Sequence, residues 1–232
     1  MFVKRYRDER GPTNIGWLDS RHSFSFGHYY DPAHMGFGPL RVINEDRVVA
    51  GAGFDAHPHA NMEIISYVIS SALKHKDSMG NGSTIRPGDI QIMSAGNGVT
   101  HSEYNANADE DVHFLQIWIM PNVQNNSPNY QQQSFKRDKA KNRFHTVISP
   151  KGDHGTLQIN QDASMLVGLF DKDTAYSHTT ELGRKYWVQM VKGEALVNGE
   201  TARAGDGFAL RAEKNISIDA KTDSEILLFD LP

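Results

Sequence analysis

Two pairs of metal-binding side chains dominate the chemistry available to this chain. His57 and His59 form the first pair, and His101 and Glu103 form the second. Alternate residues of a β-strand point to the same face, so each pair can direct both side chains to one point. Imidazoles with one carboxylate suit iron, nickel, manganese, copper or zinc better than calcium or magnesium, which prefer oxygen ligands. The spacing therefore predicts a mononuclear transition-metal centre.

Two glutamates compete for the carboxylate position. Glu63 is an even number of residues from His57 and His59, so on a continuous strand it would share their face, and Glu103 has this strand parity with His101. Extending strand parity over the six residues from His57 to Glu63 is less secure than over two, because a single β-bulge would reverse it. We therefore favour Glu103 as the ligand and expect Glu63 to orient a histidine. The alternative to a metal site is that all these histidines are structural and are satisfied by hydrogen bonds. That explanation suits a single histidine better than two closely spaced pairs.

The elements that must position these residues follow a β pattern. Short apolar or alternating runs are bounded by Gly, Asn, Asp or Pro, and no helical period is sustained. The clearest runs are Leu40 to Val49, Met62 to Ile69, Ala72 to Lys76, Ile90 to Ser94 and Val112 to Met120. This spacing is typical of all-β sandwiches and barrels. One polar, basic segment, Ser134 to Arg143, is the only predicted helix and is interpreted as an interdomain connector.

The second half of the chain repeats the first weakly. A Gly-Asp pair precedes a predicted strand at Gly88 and again at Gly205, and Asn198-Gly199 is a strong hairpin signal. We therefore expect a metal-binding domain over residues 1–133, a connector over 134–143 and a second barrel over 144–232. The position that corresponds to His101 is Ile218. The second barrel is thus expected to lack metal ligands.

Composition excludes several other classes. The chain has no cysteine, which excludes disulfides, iron–sulfur clusters and thiolate zinc sites. The net charge of −4 argues against a general phosphate-backbone binder, so direct DNA binding is not expected. The charged N-terminus and the lack of a long apolar run predict a cytoplasmic protein that does not bind membranes.

Eight other histidines have no comparable partner spacing. His22, His28 and His34 are evenly spaced but span turns, so we expect ordinary hydrogen-bonded or surface histidines there rather than a second metal site. The others lie singly in the sequence. They are His75, His113, His145, His154 and His178.

The candidate ligands lie in motifs that resemble those of the cupin superfamily. The first cupin motif is matched by Gly51, His57, His59 and Glu63. The second is matched by Gly88, Gly96, His101 and Asn105. Ser94 stands where the second motif has proline, and two additional residues precede His101. These departures affect turns and leave the ligands intact.

Longer segments resemble the pirin family of bicupins, in which two cupin barrels follow one another. The matching segments include His57-Pro58-His59, Asp77-Ser78-Met79-Gly80-Asn81, Pro87-Gly88-Asp89, His101-Ser102-Glu103 and Leu115-Gln116-Ile117-Trp118. The likeness covers almost the whole chain, with one departure at Ser70-Ser71, where the family usually has a glycine turn. It implies two tandem jelly-roll barrels, with His57, His59, His101 and Glu103 as ligands of one metal. Glu63 and Asn105 are expected beside these ligands.

The resemblance also implies an activity. Pirins similar to quercetinases cleave a flavonol such as quercetin with O2 at the metal, and in that scheme Glu103 is both ligand and proton acceptor. We expect one divalent transition metal, iron(II) first, with nickel, manganese, copper, cobalt or zinc as alternatives, and a small aromatic substrate. Some pirin-like proteins instead regulate protein partners without catalysis. A third possibility is a sugar isomerase or epimerase on the same scaffold, which would act without oxygen.

Overall fold

The computed structural model describes residues 1–232 and divides into two compact units. The N-terminal unit contains Gly11–Phe135 and Ile159–Gln161. The C-terminal unit contains Met1–Arg10, Lys136–Gln158 and Asp162–Pro232. No helix in the protein is long and apolar enough to cross a lipid bilayer.

The N-terminal unit is a barrel of two antiparallel sheets. Its strands are β2 (Gly11–Asn14), β3 (Leu18–His22), β4 (Leu40–Val48), β5 (Gly53–His59), β6 (Glu63–Ser70), β7 (Leu73–Asp77), β8 (Gly82–Ile85), β9 (Asp89–Ser94), β10 (Val99–Asn105), β11 (Val112–Ile119) and β12 (Asn129–Ser134). One sheet has the order β12-β9-β6-β11-β4-β3-β2, and the other has the order β5-β10-β7-β8. The smaller sheet carries both predicted ligand pairs.

The C-terminal unit repeats this arrangement. Its strands are β1 (Phe2–Arg5), β13 (Phe144–Ser149), β14 (Leu157–Gln158), β15 (Ser164–Phe170), β16 (Ala175–Thr179), β17 (Lys185–Lys192), β18 (Glu194–Val197), β19 (Glu200–Arg203), β20 (Gly207–Arg211), β21 (Asn215–Ala220) and β22 (Ser224–Leu231). The sheet orders are β1-β20-β17-β22-β15-β13-β14 and β16-β21-β18-β19. Asn198 and Gly199 join β18 to β19 with positive φ angles of 47° and 84°, as a two-residue hairpin of this type requires.

The prediction of two all-β barrels is confirmed, but the predicted helix is wrong. The only helical elements are three short 3-10 turns, at Arg7–Glu9, Arg137–Ala140 and Asp153–Gly155. Ser134 still belongs to β12, where it pairs with Asp89, and the Phe135 amide donates to the Gly88 carbonyl at 3.0 Å. The sheet therefore holds the start of the segment in an extended conformation and leaves room for a single turn.

The units also depart from the expected boundaries at two places. Residues 1–10 belong to the C-terminal unit because β1 pairs with β20, and the Lys4 ammonium lies 3.0 Å from the Asp206 carboxylate. Residues 159–161 belong to the N-terminal unit because Asn160 binds Glu63 and the Gln161 side chain donates to the Met120 carbonyl at 2.7 Å.

The two barrels differ in what fills them. The inward-facing residues of the C-terminal barrel form one continuous apolar cluster that includes Phe170, Tyr186 and Phe208. In the N-terminal barrel the alternate residues of β6 change from apolar to polar and back, in the order Val68, Ser66, Ile64. Strand β11 does the same. The N-terminal barrel therefore has a polar layer between two apolar clusters.

Candidate metal centre

Three imidazoles from two adjacent strands meet in the N-terminal barrel. His57 and His59 lie on β5, and His101 lies on β10 directly opposite His57 in the register. The ring centroids are 4.8 Å apart for His57 and His59, 4.5 Å for His57 and His101, and 4.9 Å for His59 and His101. One nitrogen of each ring lies within 4.8 Å of the corresponding atoms of the other two. The structure therefore brings the three predicted histidines to one point.

His101 shows that this cluster is not held by ordinary hydrogen bonds. Its side chain is only 2% exposed, and neither ring nitrogen has a hydrogen-bond partner in the protein. A buried polar group without a partner costs free energy, and native structures rarely leave one. A transition metal bound by His101 would remove that cost. The unpaired ring and the surrounding donors therefore fit a metal ion.

His57 is oriented by the backbone of its own strand. Its Nδ1 atom lies 2.7 Å from the carbonyl oxygen of Asp55. Because a carbonyl only accepts hydrogen bonds, Nδ1 must carry a proton, so in the neutral ring the lone pair is on Nε2. This arrangement, in which one ring nitrogen donates to the protein, is the usual one for metal-binding histidines.

Burial keeps two of the imidazoles neutral. It lowers the pKa of His101 to about 2, with the neighbouring His57 and His59 adding to the effect. Burial also lowers the pKa of His59 to about 4, with a contribution from His57. The neutral imidazole is the form that binds metals. Both rings are therefore in the metal-binding form throughout the neutral pH range.

Glu103 lies next to the imidazole cluster. A carboxylate oxygen of Glu103 and ring nitrogens of His75 and His101 lie within 4.8 Å of one another. Its carboxylate accepts hydrogen bonds from the Ser66 hydroxyl, at 3.0 Å, and from the Gln116 amide. Burial raises the pKa of Glu103 to about 7. Glu103 therefore lies beside His101, and in the metal-free protein it can exchange a proton near neutral pH.

Glu63 has a different environment. Its carboxylate accepts hydrogen bonds from the Ser94 hydroxyl at 2.8 Å and from the Asn160 backbone amide at 3.2 Å. It belongs to neither histidine cluster. Strand β5 ends at His59 and β6 begins at Glu63, with Asn61 between them in the left-handed region at a φ of 51°. The turn breaks the strand parity on which the Glu63 alternative depended.

Asn105, the other residue expected beside the ligands, stabilises the end of β10. Its side-chain amide donates to the carbonyls of Val48, at 3.0 Å, and Glu110, at 2.7 Å, and its oxygen accepts from the Asn107 amide at 2.9 Å. The same region contains Ser71, where the family usually has glycine. Ser71 has a φ of 66°, and its hydroxyl accepts a hydrogen bond from the Asn107 side chain.

Sequence reasoning missed His75. This buried residue on β7 is opposite Glu103 in the register of β7 and β10, and its ring centroid is 5.4 Å from that of His101. Its Nε2 lies 3.1 Å from the buried Asp77 carboxylate, while Nδ1 has no hydrogen-bond partner. The spacing of His75 and Asp77 is the same alternation that identified the other pairs, so the signal was present in the sequence.

A cavity of about 150 Å³ lies beside these residues. His57 and Glu103 are part of its wall, which joins it to the candidate metal centre. The aromatic part of the wall comprises Phe26, Phe54 and Trp118, and the polar part includes Ser20, His22, Asn44, Asp46 and Gln116. Trp118 also contacts His59 edge-on, with centroids 5.0 Å apart. The cavity thus combines aromatic walls with access to the predicted ligands.

The early histidines face polar partners or the cavity. His22 Nδ1 lies 2.7 Å from the side-chain oxygen of Asn44, and His34 Nδ1 lies 2.8 Å from the carboxylate of Asp31. His28 and His22 contribute to the cavity wall. None of these three residues belongs to a candidate metal cluster.

Comparisons with known proteins agree with this architecture. A family model described as Pirin matches residues 3–119, and one described as Quercetinase C-terminal cupin domain matches residues 146–231. A protein of Escherichia coli strain K12 named quercetin 2,3-dioxygenase is 47% identical over 232 residues, covering 100% of this chain and 99% of its own. A Caulobacter vibrioides protein named pirin-like is 36% identical over 231 residues, covering 99% of both chains.

Solved structures of pirin proteins are also similar to this chain. The crystal structure of YhhW from Escherichia coli has a TM-score of 0.96 and 46% identity, covering 100% of this chain and 98% of that one. Its complex with nickel(II) has a TM-score of 0.95 and 46% identity, covering 100% and 99%. The barrel pair, the histidine cluster and these matches together show that the chain belongs to the pirin family of bicupins.

Proposed function

We propose that this protein is a metal-dependent dioxygenase that uses O2 to cleave a flavonol such as quercetin, or a related aromatic compound. The observation that carries the proposal is the convergence of His57, His59 and His101, with Glu103 next to His101, beside an aromatic-walled cavity. The name of the 47%-identical relative, quercetin 2,3-dioxygenase, supports the reaction class. The nickel complex of YhhW supports a divalent metal at this type of site.

The three imidazoles and the Glu103 carboxylate would hold the metal. When bound, a redox-capable divalent ion supplies open coordination positions and the electronic properties that oxygen chemistry requires. The nitrogen-rich donor set suits iron(II) as the first candidate, with nickel, manganese, copper, cobalt and zinc as the alternatives to be tested.

Glu103 is the proposed proton acceptor. A general base works best when its pKa is close to the working pH, and burial raises the pKa of Glu103 to about 7 in the metal-free protein. Hydrogen bonds from Ser66 and Gln116 fix the orientation of its carboxylate. Glu103 can therefore accept the proton of a substrate hydroxyl group that enters from the cavity.

The barrel supplies the remaining requirements. Phe26 and Trp118 pack edge-on with centroids 5.3 Å apart and form a wall against which an aromatic ring can pack. The buried position of His101 and Glu103 excludes bulk water from the inner side of the site. Exclusion of water strengthens electrostatic interactions and protects reactive species from side reactions.

The test follows quercetin absorbance with protein that has been stripped of metal and reloaded separately with iron(II), nickel, manganese, copper, cobalt or zinc. We expect at least one form to consume quercetin under air and none to do so without oxygen. His57→Ala and His101→Ala should abolish the reaction. His178→Ala is the matched control, because His178 lies on β16 of the C-terminal barrel, outside both candidate clusters.

Two outcomes would contradict the proposal. If every metal-loaded form leaves quercetin and related flavonols unchanged under air, the dioxygenase function is wrong, and a regulator that acts through protein partners becomes the better hypothesis. If turnover of a substrate persists without oxygen, an isomerase or epimerase is indicated instead.

A further inference from the structure

The polar part of the cavity contains a carboxyl group with an unused oxygen. Asp46 on β4 is 3% exposed and belongs to the cavity wall. Two buried polar atoms among the wall residues have no hydrogen-bond partner in the protein, Asp46 Oδ1 and Trp118 Nε1. Native proteins rarely leave such atoms unpaired, so each is a candidate contact for a ligand.

The polar neighbours of Asp46 are already engaged with one another. The Asn44 side-chain oxygen faces His22 Nδ1 at 2.7 Å, and His22 Nε2 lies 2.9 Å from the Thr13 hydroxyl. The Gln116 amide donates to Glu103. These groups therefore form an internal network, and Asp46 Oδ1 is a hydrogen-bond acceptor that this network leaves free.

The strand register separates Asp46 from the predicted metal ligands. Asp46 lies opposite Ser20 on β3 and opposite Phe114 on β11. Asn44 lies opposite Gln116, the residue that contacts Glu103. Asp46 is therefore the next inward-facing residue of β4 after Asn44, about 7 Å along the strand from the position opposite Gln116. It marks a second recognition point in the cavity.

The size of the cavity limits what can reach this point. A volume of about 150 Å³ accommodates one benzene-sized ring, whereas pockets that hold a complete drug-sized ligand have volumes of roughly 300–1,000 Å³. The aromatic wall formed by Phe26, Phe54 and Trp118 favours a flat ring. A larger ligand would therefore place one ring inside and leave the remainder outside.

We propose that the cavity binds a hydroxylated aromatic ring and selects it through a hydrogen bond from a phenolic hydroxyl to Asp46 Oδ1. This proposal rests on the proposed function only for the aromatic class of substrate, and it adds the requirement for a ring that carries a hydrogen-bond donor. A site built to pair with a hydroxyl group rejects an analogue that lacks the donor, because its own buried polar group is then left unpaired.

The test measures binding and needs no turnover. The full chain is loaded with zinc, which has no redox chemistry, and titrated at pH 8.5 with 4-fluorophenol or 4-fluoroanisole, observed by fluorine NMR. Both probes carry one aromatic ring, but the methyl ether cannot donate a hydrogen bond. Burial raises the pKa of Asp46 to about 7, so at pH 8.5 the group is mainly a carboxylate and only accepts. We expect 4-fluorophenol to bind about tenfold or more tightly than 4-fluoroanisole.

Substitutions assign the selectivity to Asp46. Asp46→Leu should reduce the affinity ratio to about one, and unchanged binding of 4-fluoroanisole will show that the cavity is intact. Asp46→Asn keeps a weaker, neutral acceptor and should lose several-fold in affinity for 4-fluorophenol only. Glu45→Gln is the matched control, because this neighbouring carboxylate faces His113 at 2.9 Å and lies outside the cavity wall.

Equal binding of the two probes by the unsubstituted protein would overturn the proposal. The proposal is also wrong if Asp46→Leu still binds 4-fluorophenol more tightly than 4-fluoroanisole. If the leucine variant does not fold, Asp46→Asn decides, and unchanged affinity for 4-fluorophenol would overturn the proposal. Because zinc-loaded protein is used without oxygen chemistry, failure of the dioxygenase hypothesis would leave this result unaffected.

Discussion

The Gln116 side-chain amide on β11 donates a hydrogen bond to the carboxylate of Glu103 on β10, so one sheet of the barrel orients a ligand candidate that belongs to the other sheet. The second Glu103 oxygen accepts a hydrogen bond from Ser66 on β6, at 3.0 Å. Both donors come from the larger sheet. The position of the carboxylate is therefore fixed by residues that are 37 and 13 positions away in the sequence.

Gln116→Leu should weaken metal binding without removing a ligand. The substitution deletes the amide that orients Glu103, and losing such a partner typically costs about 10–100-fold in metal affinity. Competition with a chelator of known affinity will measure the change. Gln189→Leu replaces a buried glutamine of the C-terminal barrel and should leave metal affinity unchanged. Equal affinities for the Gln116 variant and the unsubstituted protein would show that Glu103 does not need this support.

Glu103→Gln should stabilise the metal-free protein at pH 8. Burial raises the pKa of Glu103 from an ordinary value of 4.5 to about 7, so the folded state binds this proton more tightly than the unfolded state. The resulting stabilisation is complete below pH 4.5 and is lost as the pH rises through 7. At pH 8 the ionised carboxylate therefore costs up to about 3 kcal/mol, which exceeds the roughly 1 kcal/mol lost where the new amide group faces a hydrogen-bond donor.

Urea unfolding of the metal-free proteins at pH 8 and pH 5 will test this expectation. The gain in the free energy of unfolding should be clear at pH 8 and small at pH 5. Glu225→Gln is the control, because Glu225 is 6% exposed but lies 3.7 Å from the Arg137 guanidinium, so its charge is compensated. If the gain in the free energy of unfolding caused by Glu103→Gln is no larger at pH 8 than at pH 5, burial does not raise the pKa of Glu103.

Local patterns in the sequence were sufficient for most strands and for the side-chain pairs of the candidate site. Alternation within β5 and within β10 placed the side chains of each pair together, because strand geometry over two residues is nearly invariant. The same reasoning failed across the turn at Asn61, where strand parity between His59 and Glu63 is lost. The fold class follows from strand spacing, whereas the identity of the fourth ligand depends on a turn that the spacing does not reveal.

Contacts between distant strands could not be inferred from local pattern. His75 approaches His101 only because β7 pairs with β10, and Asp46 reaches the cavity through the pairing of β3, β4 and β11. The pairing of β1 with β20 brings residues 2–5 against residues 207–210. The sequence of a strand does not show which distant strand it will pair with. The approach of His75 to His101 and the membership of residues 1–10 in the C-terminal unit were therefore not predictable.

Gly53→Ala should disturb the metal centre through the backbone. A Cβ atom at position 53 would lie 2.5 Å from the Cα atom of Tyr104, so β5 and β10 would have to separate beside Glu103. Such overpacking costs about 1–3 kcal/mol, and here it also displaces the strands that carry His57 and His101. Both the thermal midpoint and the metal affinity should fall.

Gly82→Ala is the matched control for this change. Gly82 lies on β8 of the same sheet, is exposed, and would place a Cβ atom no closer than 4.0 Å to the His75 carbonyl oxygen. Its thermal midpoint and metal affinity should both be close to those of the unsubstituted protein. If the two alanine variants bind metal equally well, close packing at Gly53 is not required for the site.

The two glutamates are distinguished by a direct comparison of metal content. Glu63→Gln should retain one metal per chain, because the Glu63 carboxylate is held by Ser94 and Asn160, outside the histidine clusters. The substitution should instead lower the free energy of unfolding by about 1 kcal/mol. The Asn160 side-chain amide now donates to a Glu63 oxygen at 3.2 Å, and in the variant it would face another amide group. Glu103→Gln should instead lower metal affinity about tenfold or more. Elemental analysis after dialysis against a weak chelator measures both variants together, and loss of metal from the Glu63 variant alone would assign the fourth ligand position to Glu63.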